Sequence, residues 1–242
     1  YYQVQYKDWG FRFGSFDRTE VLDYPLAFIA DDYNYYKPNL EGLYIQYTPK
    51  NNRVNAFADW VSRQDTVRRE QFMAGITGTH RWGNILLEEY WYMFHNAGRA
   101  VWTETEPIED YMGGLVLAGC DFSDKLNLDI ATVKTGALAS QGRTRGSGLG
   151  FEKAISSYSE IALEKRGFGV KSVFNFGQKH HFFVGDAFYN NTTSYVRTNL
   201  YFTPINLNHI KGRFIWSLHV ANGDLDNQQQ FSLIYEFGQK LK

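Results

Sequence analysis

The sequence predicts an all-β fold: a transmembrane antiparallel up-and-down β-barrel of about twelve strands, one domain over residues 1–242. Three observations lead there. Large apolar side chains alternate with polar ones from one end of the chain to the other, short and long connections alternate along it, and no apolar run approaches the ~18–20 residues that a spanning helix needs. Composition agrees, with 19 Phe, 17 Tyr, 6 Trp and 22 Gly against only 5 Pro.

The clearest strand is "GRFIWSLHV", Gly212 to Val220. Phe214, Trp216, Leu218 and Val220 fall on one face, and Arg213, Ser217 and His219 on the other. A helical stripe would instead carry Arg213 and His219 into its apolar side. The same alternation appears in "FSLIYEFG", "SYVRTNLYF", "GFGVKSVFNFG", "LYIQY" and "GFRFG". In chain order, strands are expected at Gln3–Asp17, Leu40–Pro49, Arg53–Arg63, Glu70–His80, Asn84–Asn96 and Ile108–Asp121. They continue at Lys125–Ala139, Tyr158–Gly177, His180–Asn190, Ser194–Thr203, His209–Asn222 and Asn227–Gly238.

Tight turns at "PKNN", "HRWG", "FSDK" and "GQKH", with the compact "TPINLN", mark every other junction. The junctions between them are "RTEVLDYPLAFIADDYNYYKPN", "QDTVRRE", "AGRAVWTETEP" and "SQGRTRGSGLGFEKAISS", then the shorter "NTT" and "GDLD", so tight and extended ends alternate over the first two thirds. This segregation by end puts both termini on the tight-turn side and requires an even strand count. A soluble β-sandwich also alternates. It has no reason to sort its connections by length.

A net charge of −1 gives no sign of a nucleic-acid partner, and the lone Cys120 permits no internal disulfide. The opening "YYQVQYKDWGFRF" shows no basic segment followed by an apolar one, so no leader is expected within the sequence as given.

The chain resembles Gram-negative outer-membrane porin-like β-barrels in "WGFRFGSF", "PNLEGLYIQYTP", "GFGVKSVFNFG" and the final "FSLIYEFGQKLK". The last strand, with Tyr235 and Phe237, is similar to the signal that assembly machinery reads in that class, although Lys242 ends the chain where an aromatic residue is usual. The resemblance implies an outer-membrane location, tight turns and both termini in the periplasm, and long loops outside. Trp9, Trp60, Trp82 and Trp216 are then available for interfacial girdles.

Strand phase sends Arg12, Tyr44, Gln46, Asp59, Asp129, Lys171, Arg197, Lys211, Arg213, His219 and Glu236 to the interior. Opposed charges across a narrow lumen would orient dipolar solutes and screen ions. The function expected is a channel for small polar or charged solutes, without enzymatic activity or cofactor. In the segment Arg18 to Asn39, Asp31 and Asp32 are the candidates for a constriction, with an ordinary surface loop as the other reading. The expected partners are outer-membrane lipid and small solutes, with a homo-oligomer or a larger outer-membrane complex left open.

Two alternatives stand beside the channel. The interior charges can pair with one another in a plugged, partner-binding barrel. The chain also resembles outer-membrane phospholipase A in strand count, and "SLHVAN" offers Ser217, His219 and Asn222, although phase turns Ser217 and His219 inward, away from lipid. Adjacent His180 and His181 point to opposite faces of a strand and cannot share a metal. "NGDLDN" lacks the ligand spacing of an EF-hand, and "GSGLG" lacks the strand–loop–helix setting of a phosphate loop.

Overall fold

The computed structural model describes residues 1–101, 107–207 and 209–235. Thirteen strands pair in sequence order, each antiparallel to the next. They are β1 (Tyr2–Tyr6), β2 (Trp9–Asp17), β3 (Asn39–Tyr47), β4 (Asn52–Ser62), β5 (Gln71–Trp82), β6 (Ile85–Asn96) and β7 (Glu109–Asp121). After them come β8 (Ile130–Thr144), β9 (Glu152–Lys165), β10 (Phe168–Gly177), β11 (Ser194–Leu207), β12 (Ile210–Ala221) and β13 (Asp224–Tyr235). Among the described residues no helix is long and apolar enough to cross a membrane.

Thirteen strands among the described residues replace the even count expected, and four strand expectations change. Gln3–Asp17 is a hairpin, because the chain turns at Lys7 with φ 51°. Tyr158–Gly177 is likewise two strands, the end of β9 and all of β10. Arg166 and Gly167 adopt φ of 51° and 81°, the paired left-handed geometry of a two-residue hairpin turn. His180–Asn190 is not a strand at all. It belongs to the 178–193 connector, which folds inward and carries the short helix α3 (Ala187–Asn191). The seventh expected strand, Lys125–Ala139, starts later, at Ile130, after the one-turn helix α2 (Ser123–Leu126).

The sheet curls around two of its own connectors. From the β2–β3 connector, Phe28 is fully buried and meets Phe182 of the β10–β11 connector at 4.9 Å between ring centroids. Tyr90 and Tyr92 of β6 flank the same ring. Two wall glycines make room: a Cβ at Gly75 would collide with the Tyr24 hydroxyl, and one at Gly113 with the Phe182 ring. Through that gap the Tyr24 hydroxyl donates to the Trp91 carbonyl at 2.7 Å. The core therefore lies inside the sheet. The outward face is left bare, with Phe13, Trp60, Ile76, Trp91, Val133, Ile155, Phe168, Phe214, Trp216, Phe231 and Leu233 all exposed. So extensive an apolar face is what a lipid environment accommodates and water does not.

A buried ion pair fastens the plug to the wall. Arg18 and Asp59 are each 1 % exposed, with Nη2 2.7 Å from Oδ2. Arg18 also donates to the Asn39 carbonyl, and Asp59 accepts from the Glu41 amide. Both ends of the β2–β3 connector are thus tied to β4.

Candidate active site on the outward face

Most of the interior candidates do face inward, and several of them are paired there. Lys134 bridges Glu88 at 2.9 Å and Glu160 at 2.7 Å, and Lys171 reaches Glu160 at 2.8 Å. Arg197 lies 3.6 Å from Asp31 and 3.7 Å from Asp186. Arg12 pairs with Glu20 at 2.7 Å, and Tyr44 donates to Gln46 at 2.9 Å. Arg213 stacks on Tyr201 at 4.0 Å and, with Lys211, walls a polar cavity beside the plug. Asp129 is misplaced by phase: it lies before β8, and its carboxylate accepts from the Arg166 amide at the turn. Glu236 lies outside the described residues. Asp31 and Asp32 are exposed at the start of the helix α1 (Asp31–Tyr36), which buries none of its residues, while the preceding Ala27, Phe28 and Ile29 of the same connector are buried inside the sheet.

The Ser217, His219 and Asn222 set does not assemble. His219 is buried, its Nδ1 is 2.8 Å from the Tyr195 hydroxyl, and its ring is stacked on Phe188. The Ser217 hydroxyl accepts from Arg197 instead. Asn222, at the β12–β13 turn, accepts from the backbone amides of Thr193 and Ser194. A second buried histidine, His180, lies between the hydroxyls of Ser140 at 2.9 Å and Ser156 at 2.7 Å. Burial, with His181 adjacent, pushes His180 down to about 4, so it is neutral at ordinary pH. Both rings are sealed from lipid by the wall.

The outward face holds a different constellation, at the long-connection end of β6, β7 and β8. Register places Phe72, His95, Asp110 and Arg143 in one row across four strands. His95 Nδ1 lies 2.7 Å from Asp110 Oδ1. Arg143 donates to Asp110 Oδ2 at 2.8 Å, and Arg145 clamps both carboxylate oxygens at 2.8 and 3.0 Å. The His95 ring lies against Phe72 at 4.8 Å. Its Nε2 has no hydrogen-bond partner among the described residues.

This arrangement has the parts of a general base. Asp110 fixes the imidazole with Nδ1–H toward itself, which leaves Nε2 as the acceptor facing outward. With two guanidiniums to one carboxylate, Asp110 is more than offset, and Arg143 and Arg145 remain partly exposed to a developing oxyanion or a phosphate. Among the described residues, neither this row nor the next one along the face contains a serine, threonine or cysteine. A base of this kind can serve a water as the nucleophile.

His95 escaped the sequence reading because it and Asp110 are fifteen residues apart and meet only through the β6–β7 register. "GRTRG", expected in a long connection, was the remaining signal, with Arg143 and Arg145 two positions apart.

An antiparallel barrel-type sheet around filled connectors, with a His–Asp pair on its bare apolar face, is a class of protein suited to chemistry at its outward wall. The chain belongs to the lipid A 3'-O-deacylase-type family, whose model matches residues 1–242. No curated protein and no solved structure matched it. Family membership overturns both the expectation of a channel and that of a protein without enzymatic activity. The interior gives the physical reason: rings of the two connectors, Phe28, Phe182 and Tyr189, occupy space inside the sheet that a channel would leave open, and many of the charges facing it are paired. The small solutes, homo-oligomer and complex partners expected with a channel lose their support, whereas outer-membrane lipid keeps its place.

Proposed function

We propose that the protein is an outer-membrane hydrolase that removes an acyl chain from an ester of lipid A or a closely similar acylated saccharide in the outer leaflet. The observation that carries this reading is the His95–Asp110 pair on the outward face, at the end where long connections lie and so beside the outer leaflet. Family membership supplies the bond type and the substrate class.

In the step derived from this geometry, His95 Nε2 accepts a proton from a water as its oxygen bonds to the ester carbonyl carbon. Arg143 and Arg145 face the oxyanion that develops. The tetrahedral centre collapses, the ester C–O bond breaks, and the proton on His95 passes to the departing sugar oxygen. The products are a free fatty acid and a sugar hydroxyl, and His95 returns to its neutral form. Asp110 orients the ring throughout and offsets its transient positive charge.

The test is acyl release from lipid A by refolded protein, followed by mass spectrometry. Asp110→Asn and His95→Ala are expected to lower the rate by about 10²–10⁴. Heat-modifiable gel mobility verifies that each variant has folded. Full activity in both folded variants would rule the site out.

A further inference from the structure

Beside the polar row, the outward wall is hollow. Register continues the face into a second row, Ala74, Met93, Met112, Gln141 and Lys153, and then a third, Ile76, Trp91, Gly114, Ala139 and Ile155. The third row is uneven: Trp91 and Ile155 project, while Gly114 and Ala139 between them carry almost no side chain. Trp91 lies across Gly114, where an added Cβ would come within 2.8 Å of its ring. The result is a trough of about 790 Å³ whose walls are mostly apolar and whose polar margin, Gln141 and Lys153, lies toward the His95 row.

We infer that this trough seats the fatty-acyl chain that is released, and that Gly114 and Ala139 set the chain length accepted. The inference rests on the hydrolase reading. It commits to one occupant because trough and base are continuous on a single face. From His95 to the Trp91 row is four residues along β6, about 13 Å at ~3.3 Å per residue. An ester carbonyl at His95 Nε2 therefore delivers its chain directly into the depression, while a charged saccharide stays at Arg143, Arg145 and Lys153. A second apolar hollow of about 530 Å³, walled by Leu163, Phe168, Leu200, Phe214 and Trp216, also opens on the outward face, but it lies on β9 to β12 and is not continuous with the His95 row.

Ala139 is exposed, lines the trough and lies four residues along β8 from Arg143, so Ala139→Phe fills the trough and leaves the base intact. Hydrolysis of lipid A species differing in acyl length gives kcat/KM for each. In the wild type, kcat/KM is expected to rise up to about fourfold per added methylene, the equivalent of ~0.8 kcal/mol, until the trough is full. Ala139→Phe should lower kcat/KM for long chains by tenfold or more and leave the shortest unchanged. An identical length profile in the two proteins overturns the inference.

If neither protein hydrolyses any species, a lipid A analogue with a photoreactive acyl terminus decides the matter by binding alone. Labelling concentrated on β7 and β8, and lost in Ala139→Phe, upholds the trough while the hydrolase reading falls. Uniform labelling of the outward face, including β12, overturns the trough as well.

Discussion

Asp59→Asn should unseat the plug, and the cost follows from the burial of Arg18. Both partners are 1 % exposed, so the substitution strands a guanidinium in a site that water does not reach. Two Arg18 nitrogens, Nε and Nη1, already lack a hydrogen-bond partner, and the Tyr33 ring at 4.8 Å and the Asn39 carbonyl cannot replace a carboxylate. Breaking such a pair typically costs about 3–5 kcal/mol. Replacing both partners, as Arg18→Met with Asp59→Leu, removes the stranded charge and is expected to cost no more than ~1 kcal/mol. The assay is the urea midpoint of the protein in lipid vesicles, read by tryptophan fluorescence. Coupling of at least ~2 kcal/mol between the two sites is expected from the double-mutant cycle of Arg18→Met and Asp59→Leu, each made singly and together. A loss below ~1 kcal/mol for Asp59→Asn alone would refute the idea that this pair anchors the connector.

Three further outcomes follow from the packed interior. Phe28→Ala removes a fully buried ring between Phe182 and Tyr92, and should lower stability by about 3–5 kcal/mol in the same urea assay. The wild-type protein in planar bilayers should give no stepwise conductance, and regular steps of one size would show the interior to be open. His180 titrates at about 4 when folded and near 6.5 when exposed, so below 6.5 the unfolded state binds the extra proton. Its contribution is complete above pH 6.5 and is lost as pH falls toward 4, by roughly 3 kcal/mol at most. His180→Gln should flatten that part of the stability–pH curve, and an unchanged slope would place the effect elsewhere.

Alternation alone was enough to show the wall. A strand with one face on a packed interior and one on lipid must repeat every second residue, so Arg12, Tyr44, Lys171, Arg197 and Arg213 could be assigned inward without knowing their neighbours. The missed hairpin at Arg166–Gly167 left a trace. A two-residue turn reverses the phase, and the outward apolar positions change there from odd, at Ile161 and Leu163, to even, at Phe168 and Val170.

The plug was harder to read because its determinants lie in other strands. Gly75 and Gly113 look like any strand glycines until Tyr24 and Phe182 are placed against them. His180 and Tyr189 sit in a stretch apolar enough to pass for a strand. The active-site row depends on register, which alternation does not encode. Ser217 and His219 are near in sequence and do not bond to each other, whereas His95 and Asp110 are far apart and do.

Acyl release from lipid A by two folded histidine variants tests most directly whether the chemistry takes place on the lipid-facing wall. The expected result is that His95→Gln loses nearly all release while His219→Gln, altered only inside the barrel, keeps it. Release that survives in His95→Gln and disappears in His219→Gln would move the active site into the interior and contradict the account.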